Sequence, residues 1–257
     1  MNPPASTSFS FEWIFLLLSA AAVYGYARLA RTEHPPRGRV ILFALGIVLV
    51  AVPLNSPLET IAVQYLLVIH LLQNVMIADW APPLLILGLT PAMRDRVAAL
   101  GGRPFAFLTR PRFALPFWLV VWYGVHLPPF YDWALRTGWP LNLEHGLLIL
   151  AGLVFWWPVF AEEPQQLGTP VRLAYLGIAF IGSAFLSLAY IFSARAFYAF
   201  YAHAPRLWGL SATKDQNLGG ILMNGEQLIV FFAALSYFLL KLLSEEDEAQ
   251  RALESRP

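Results

Sequence analysis

The sequence predicts an all-α polytopic membrane protein, a bundle of seven transmembrane helices with its N-terminus outside and its C-terminus in the cytoplasm. Composition is the first reason: of 257 residues 58% are hydrophobic and only 13% charged, with a mean hydropathy of +0.58. So few charges cannot cover the surface of a soluble domain of this size. The second reason is the number of apolar stretches approaching the roughly 20 residues that cross a hydrocarbon core. The third is the uneven distribution of basic residues between them.

Taken in order, the expected spans are about 12–30, 40–54, 62–89, 113–127, 143–160, 171–194 and 217–243. The first follows MNPPASTSFSFE, which lacks a basic leader, and precedes Arg28, Arg31, Arg37 and Arg39, so it reads as an uncleaved helix. The second and fourth are short. The third is long and carries Pro82 and Pro83, which remove backbone donors and kink it. In the seventh, Gly219 and Gly220 permit close helix packing. With the N-terminus outside, only Arg136, Arg195, Arg206 and Lys214 fall in outer segments, and the rest of the 17 basic residues fall inside. The tail from Ser244, SEEDEAQRALESRP, reads as a short frayed cytoplasmic helix. No repeat or linker divides the chain, which is expected to form one integral membrane domain over residues 1–257.

Several function classes fall away. A net charge of +1 gives no reason to expect nucleic acid as a partner. The absence of cysteine removes any CxxC site and leaves His and Met as soft-metal ligands. No GxSxG, phosphate-cradling loop or nucleophile–base spacing is present, so the chain is not expected to be an enzyme. Its two lysines, Lys214 and Lys241, lie at the ends of spans, which excludes a mid-membrane Schiff base. Trp13, Trp122, Trp133, Trp139 and Trp208 fit an outer interfacial belt.

Polar residues at membrane depth carry the remaining information. His70 lies about one and a half turns into the third span, His126 ends the fourth and His145 begins the fifth, so all three converge on the outer side. Any one of them alone reads more simply as an interfacial hydrogen-bonding residue; three together point to a metal site, since neutral imidazole is the commonest metal ligand. Gln73 and Asn74 share the polar stripe of His70. Asp79 lies on the order of 13 Å deeper and out of phase, too far to join a compact site. The seventh span opens with Asp215, Gln216 and Asn217, then carries Met223, a packing residue or a ligand. Asp79 and Glu226 are intramembrane acids without a basic partner, to be read as protonated hydrogen-bonding groups or as part of a proton or ion path.

The segments IHLLQNVMIADWAPPLLILG (69–88), LTRPRFALPFWLVVWYGVHLPPFYDWAL (108–135), LEHGLLILAGLVFWWPV (143–159) and DQNLGGILM (215–223) together resemble the CtaG family of bacterial membrane proteins that assist cytochrome c oxidase assembly. The resemblance spans roughly residues 10–243. It implies a seven-helix protein of the bacterial plasma membrane that helps deliver or insert copper into the oxidase. His70, His126 and His145 match family histidines, and Asp215, Gln216 and Met223 match the motif opening the last helix. Leu71 and Asn74 depart from the family's HMxxH, and Asn224 stands where a Trp is expected. Three imidazoles with or without a thioether suit Cu(I), held transiently for transfer. Glu144, Asp132 and Asp215 would accept hydrogen bonds that orient the imidazoles. The implied partners are the bilayer, an oxidase subunit and a second copy of the chain. A metal-free assembly scaffold and a proton or ion translocator built on Asp79 and Glu226 remain the alternatives.

Overall fold

The computed structural model describes residues 4–254, and all regular structure among them is helical. In chain order the helices are α1 (Trp13–Glu33), α2 (Arg37–Ala51), α3 (Pro57–Gln64), α4 (Leu67–Val75), α5 (Ala81–Gly88), α6 (Pro91–Leu108), α7 (Pro111–Val125), α8 (Pro128–Arg136), α9 (Trp139–Phe160), α10 (Thr169–Phe192), α11 (Ala199–His203) and α12 (Ala212–Glu254). A 3-10 turn, Pro53–Asn55, follows α2, and a π-helical stretch, Met76–Trp80, joins α4 to α5.

Among the described residues five units are long and apolar enough to cross a membrane: α1, the continuous Leu67–Gly88 unit, α9, α10 and α12. The pair α7 and α8, bent by 66°, makes a sixth if taken as one span. The two expected spans that were short in sequence are short here, since α2 and α7 have 15 residues each. At 1.5 Å per residue that is about 22 Å, below the roughly 30 Å of a hydrocarbon core. The outward faces carry large exposed apolar side chains, among them Leu17, Ile181, Phe185, Ile229 and Phe232. A belt of this kind is stable only against lipid or another apolar surface. The chain is a multi-pass membrane protein.

The third span differs most from expectation. Leu66 is extended (φ −131°, ψ 123°), which ends α3 and makes α4 a new helix starting at Leu67. Farther along, Pro82 and Pro83 have no N–H to give the carbonyls of Ala78 and Asp79 one turn earlier. The helix accommodates this with the wider π turns of Met76–Trp80 rather than with a sharp kink alone. α9 comes close to the freed Ala78 carbonyl: a Cβ added to Gly152 would stand 2.2 Å from that oxygen. Gly219 and Gly220 do serve close packing. A Cβ on Gly219 would meet Leu71 Cδ1 at 2.5 Å, and one on Gly220 would meet the Ser187 carbonyl oxygen at 2.8 Å. These contacts seat α12 between α4 and α10.

An aromatic core fills the middle of the bundle. Trp118 stacks on Trp122 and Phe155, with ring centroids 5.7 and 4.5 Å apart, and Phe231 of α12 packs against Phe155 and Trp156. Trp122 is therefore a buried core residue and not part of an interfacial belt, whereas Trp13, Trp139 and Trp208 are exposed. The polar tail is no separate helix: α12 runs unbroken through Ser244 to Glu254, and residues 255–257 of the expected tail lie outside the described range.

Hydrogen bonds between helices identify the two ends of the bundle. At one end the Glu12 amide, at the start of α1, donates to Asn55 Oδ1 at 2.9 Å after α2. At the other, Arg39 at the start of α2 donates to the Leu87 carbonyl at 2.8 Å.

A methyl group at Gly152 must push α9 off a backbone carbonyl, a kind of overpacking that costs about 1–3 kcal/mol. Gly152→Ala should lower the Tm of the detergent-solubilised protein. Gly146→Ala on the same helix, where the nearest neighbour is Phe15 Cζ at 4.0 Å, should leave it unchanged.

Candidate functional site

The site begins with a backbone requirement. The first N–H groups of a helix have no acceptor within it, and α4 starts inside the bundle. Asp215 supplies the acceptors: its two carboxylate oxygens take the N–H groups of Leu67 and Val68, each at 2.9 Å, with Arg206 at 3.4 Å from the same carboxylate. This fixes the start of α4 and thereby the position of His70 one turn later.

Asp215 thus orients a helix and not an imidazole. Asp132 likewise caps backbone, accepting from Ala199 N at 3.1 Å and Phe200 N at 2.8 Å at the start of α11. Gln216 holds the segment between α10 and α11, accepting from Phe197 N at 2.7 Å and donating to the Arg195 carbonyl at 3.1 Å. All three accept from main chain, Asp215 from Arg206 as well.

His70, Glu144 and His145 come together, with one donor atom from each lying within 4.8 Å of the others, and all three side chains are fully buried. Their tautomers follow from the hydrogen bonds. Tyr201 donates its hydroxyl to the Ala62 carbonyl at 2.6 Å, so at 2.9 Å it can only accept from His70 Nδ1–H. His145 Nδ1–H donates to the Glu12 carboxylate at 2.9 Å. With both rings neutral, as a metal would require, both Nε2 atoms carry lone pairs, and they face each other at 3.4 Å. Glu144 Oε1 lies 3.4 Å from His70 Nε2 while accepting from Asn74 Nδ2 at 3.0 Å. Three electron-pair donors thus point at one another, an arrangement stabilised by a cation among them.

Further carboxyls surround this centre. Glu59 accepts from Gln73 Nε2 at 2.9 Å, and the same amide donates to the Pro53 carbonyl at 2.7 Å. Burial pushes the Glu59 pKa up to about 7, against the opposing pull of nearby His145. Glu144 Oε2, Asn74 Oδ1, His126 Nε2 and the Tyr131 hydroxyl are buried and make no hydrogen bond.

His126 does not join the cluster as a third converging imidazole. Its Nδ1–H donates to the Trp122 carbonyl of its own helix at 2.6 Å. The Tyr131 ring packs against both His126 and His70, with centroids 5.8 and 4.9 Å away. Met223 is fully buried in the apolar core of α12. With Asp215 level with Leu67 and Gly219 level with Leu71, Met223 lies about one further turn into the bundle.

Asp79 and Glu226 form a second polar centre, away from the first as their depth required. They are neighbours across the π segment and α12, and Glu226 also accepts from Trp80 Nε1 at 2.8 Å. Both line a pocket of about 830 Å³ that extends to the end of the bundle carrying Arg39 and Lys241.

The profile of the cytochrome c oxidase caa3 assembly factor (Caa3_CtaG) family matches residues 21–245 of this geometry. The chain belongs to that family. The Caa3_CtaG match takes in both histidines of the cluster, Glu144 and the Asp215 cap, whereas Glu12 precedes it. No curated protein and no solved structure matches the chain. Glu12 and Tyr201, which set the two tautomers, were not anticipated from the sequence. The only signal for Glu12 was an acidic residue at the head of the first apolar stretch, and Tyr201 gave none.

Removing the Asp215 carboxylate leaves one buried and one partly buried N–H group without acceptors, at about 1–3 kcal/mol for a buried one. Asp215→Ala should lower the Tm by more than Asp132→Ala, whose freed N–H groups start a five-residue helix with one of the two donors exposed.

Proposed function

We propose that this Caa3_CtaG family member assists oxidase assembly by carrying copper as cargo between His70, Glu144 and His145, at the outer face of a bacterial plasma membrane. The observation that supports this is the convergence of two imidazole lone pairs and a carboxylate oxygen in a buried pocket. Glu12 holds His145 through Nδ1 as carboxylates hold metal-ligating imidazoles. The donor set is two imidazoles and a carboxylate in place of three imidazoles and a thioether. It suits Cu(II) better than the Cu(I) expected from sequence, because carboxylate is a hard ligand and imidazole serves either state. A three-donor set is also incomplete, which favours release to a client.

In this reading the client is an oxidase subunit and the chain performs no catalysis of its own. The membrane arrangement comprises seven crossings, with α2 and the bent α7–α8 pair as the short ones. The N-terminus is outside and the C-terminus inside, which puts the basic ends of the helices in the cytoplasm.

Elemental analysis of purified protein after separate loading with Cu(I) and Cu(II) should find about one copper per chain, lost in His70→Ala/His145→Ala and retained in His126→Ala. Loss in His126→Ala alone would restore the three-histidine site. Absence of copper from the wild type would leave a metal-free scaffold.

The adjacency of Asp79 and Glu226 favours one second reading, a proton path. It requires proton uptake by proteoliposomes that Asp79→Asn abolishes; the copper reading expects no such uptake.

A further inference from the structure

At the end of the bundle opposite the histidine cluster, four basic side chains converge on the pocket that begins at Asp79 and Glu226: Arg39, Arg94, Arg172 and Lys241. Arg39 is anchored on the Leu87 carbonyl at the end of α5, and Arg94 donates to the Phe160 carbonyl at the end of α9. The Arg172 guanidinium stands 5.5 Å from the Phe238 ring. Arg172 is only 8% exposed, yet its Nε, like that of Arg94, has no hydrogen-bond partner.

Among the described residues none of the three arginines forms an ion pair within 4 Å. Glu162 and Asp95 act on Arg94 only at longer range, and burial together with Arg39 pushes the Arg94 pKa below its ordinary value. Lys241 is shared with Glu245 at 3.7 Å, and Glu245 accepts from Thr169 at 3.0 Å. Half-buried and buried guanidiniums whose carboxylate neighbour Glu162, itself in the pocket lining, stands beyond ion-pair distance are costly, and the cost is reduced by an anion that accepts several N–H groups at once.

The lining also holds the carboxyls of Asp79, Glu162 and Glu226, and the rest of it is mostly apolar. Leu84, Leu87, Val230 and Phe238 line it, and on the α12 side it meets side chains that face outward, with Ile229 71% and Tyr237 59% exposed. The pocket is therefore a cleft between α5 and α12 that reaches the lipid-facing surface and ends in a nest of arginines. Its volume of about 830 Å³ is in the range of a bound organic molecule, roughly 300–1,000 Å³.

We propose that this cleft binds an anionic phospholipid, its phosphate on Arg39, Arg94 and Arg172 and one acyl chain along Leu84, Leu87 and Val230. The charge complementarity selects the headgroup, and the lateral opening selects a bilayer lipid over a soluble phosphate. Basic pockets between transmembrane helices recognise headgroups in this way.

Native mass spectrometry of the full-length protein in detergent tests the proposal with phosphatidylglycerol and phosphatidylcholine of identical chains, and with inorganic phosphate as competitor. The wild type should prefer phosphatidylglycerol by about tenfold or more, from the attraction of several basic groups. Arg94→Gln/Arg172→Gln should remove the preference, and Arg172→Lys should keep part of it. Leu84→Trp, which fills the cleft and leaves the cations in place, should weaken retention of both lipids. Equal binding of the two lipids by the wild type, or an undiminished preference in the double variant, would overturn the site. So would displacement of the lipid by inorganic phosphate at comparable concentration, or a dimer that covers the cleft and holds no lipid.

Discussion

A helix that starts inside an apolar bundle leaves its first N–H groups without acceptors unless one is brought to them, and in this chain Asp215 brings it. The same carboxylate ties the beginning of α12 to the beginning of α4, two elements 147 and 148 residues apart in sequence. His70 takes its depth from that start, and Gln73 and Asn74 follow on the turn below, where Glu59 and Glu144 meet them. Gly219, one turn after Asp215, lets α12 lie close enough for the bond to form. Without the cap, α4 would have to start at the surface and continue from α3, as the unbroken hydrophobic pattern of 62–89 suggested.

Much of the architecture was legible from hydropathy alone because a bilayer imposes one rule on every segment, that length and apolarity decide crossing. The long helices, the depth of His70 relative to Asp79 and the packing role of Gly219 and Gly220 were all readable in that way. The break at Leu66 was not, since no Pro or Gly marks it and its cause lies in α12. Pro82 and Pro83 announced a distortion, but whether a helix kinks or widens into π turns depends on what packs against the freed carbonyl, here Gly152. Trp122 looked interfacial by its position near a span end and proved buried because Trp118 and Phe155 stack with it.

At the candidate centre, convergence of His70 and His145 could be anticipated from depth, whereas the identity of the third group could not. Depth is a one-dimensional coordinate; it ranks residues along the membrane normal and says nothing of azimuth. His126 stands beside the cluster, sharing the Tyr131 ring with His70, but is not among the three groups whose donor atoms lie within 4.8 Å of one another. Glu144 precedes His145 by one residue and so points about 100° away around α9, toward Asn74 and His70. The tautomers depend on Glu12 and Tyr201, each more than 130 positions from its histidine, a relation no local motif encodes.

If the centre carries a cargo as proposed, its covering would govern how fast that cargo turns over. The segment before α1 is laid over it by the bonds from Thr60 Oγ1 to the Ser8 carbonyl at 2.8 Å and from the Tyr65 hydroxyl to the Pro4 carbonyl. It ends in Glu12, which is both a wall of the pocket and the partner of His145. A ligand among atoms with no solvent exposure leaves no faster than its cover opens, however weakly it is held. In the proposed reading residence time and affinity would be separable: His70, Glu144 and His145 would set the second, while contacts by residues 4–12 would set the first. A client that pulled on this segment would shorten the residence time and at the same moment remove the acceptor that orients His145.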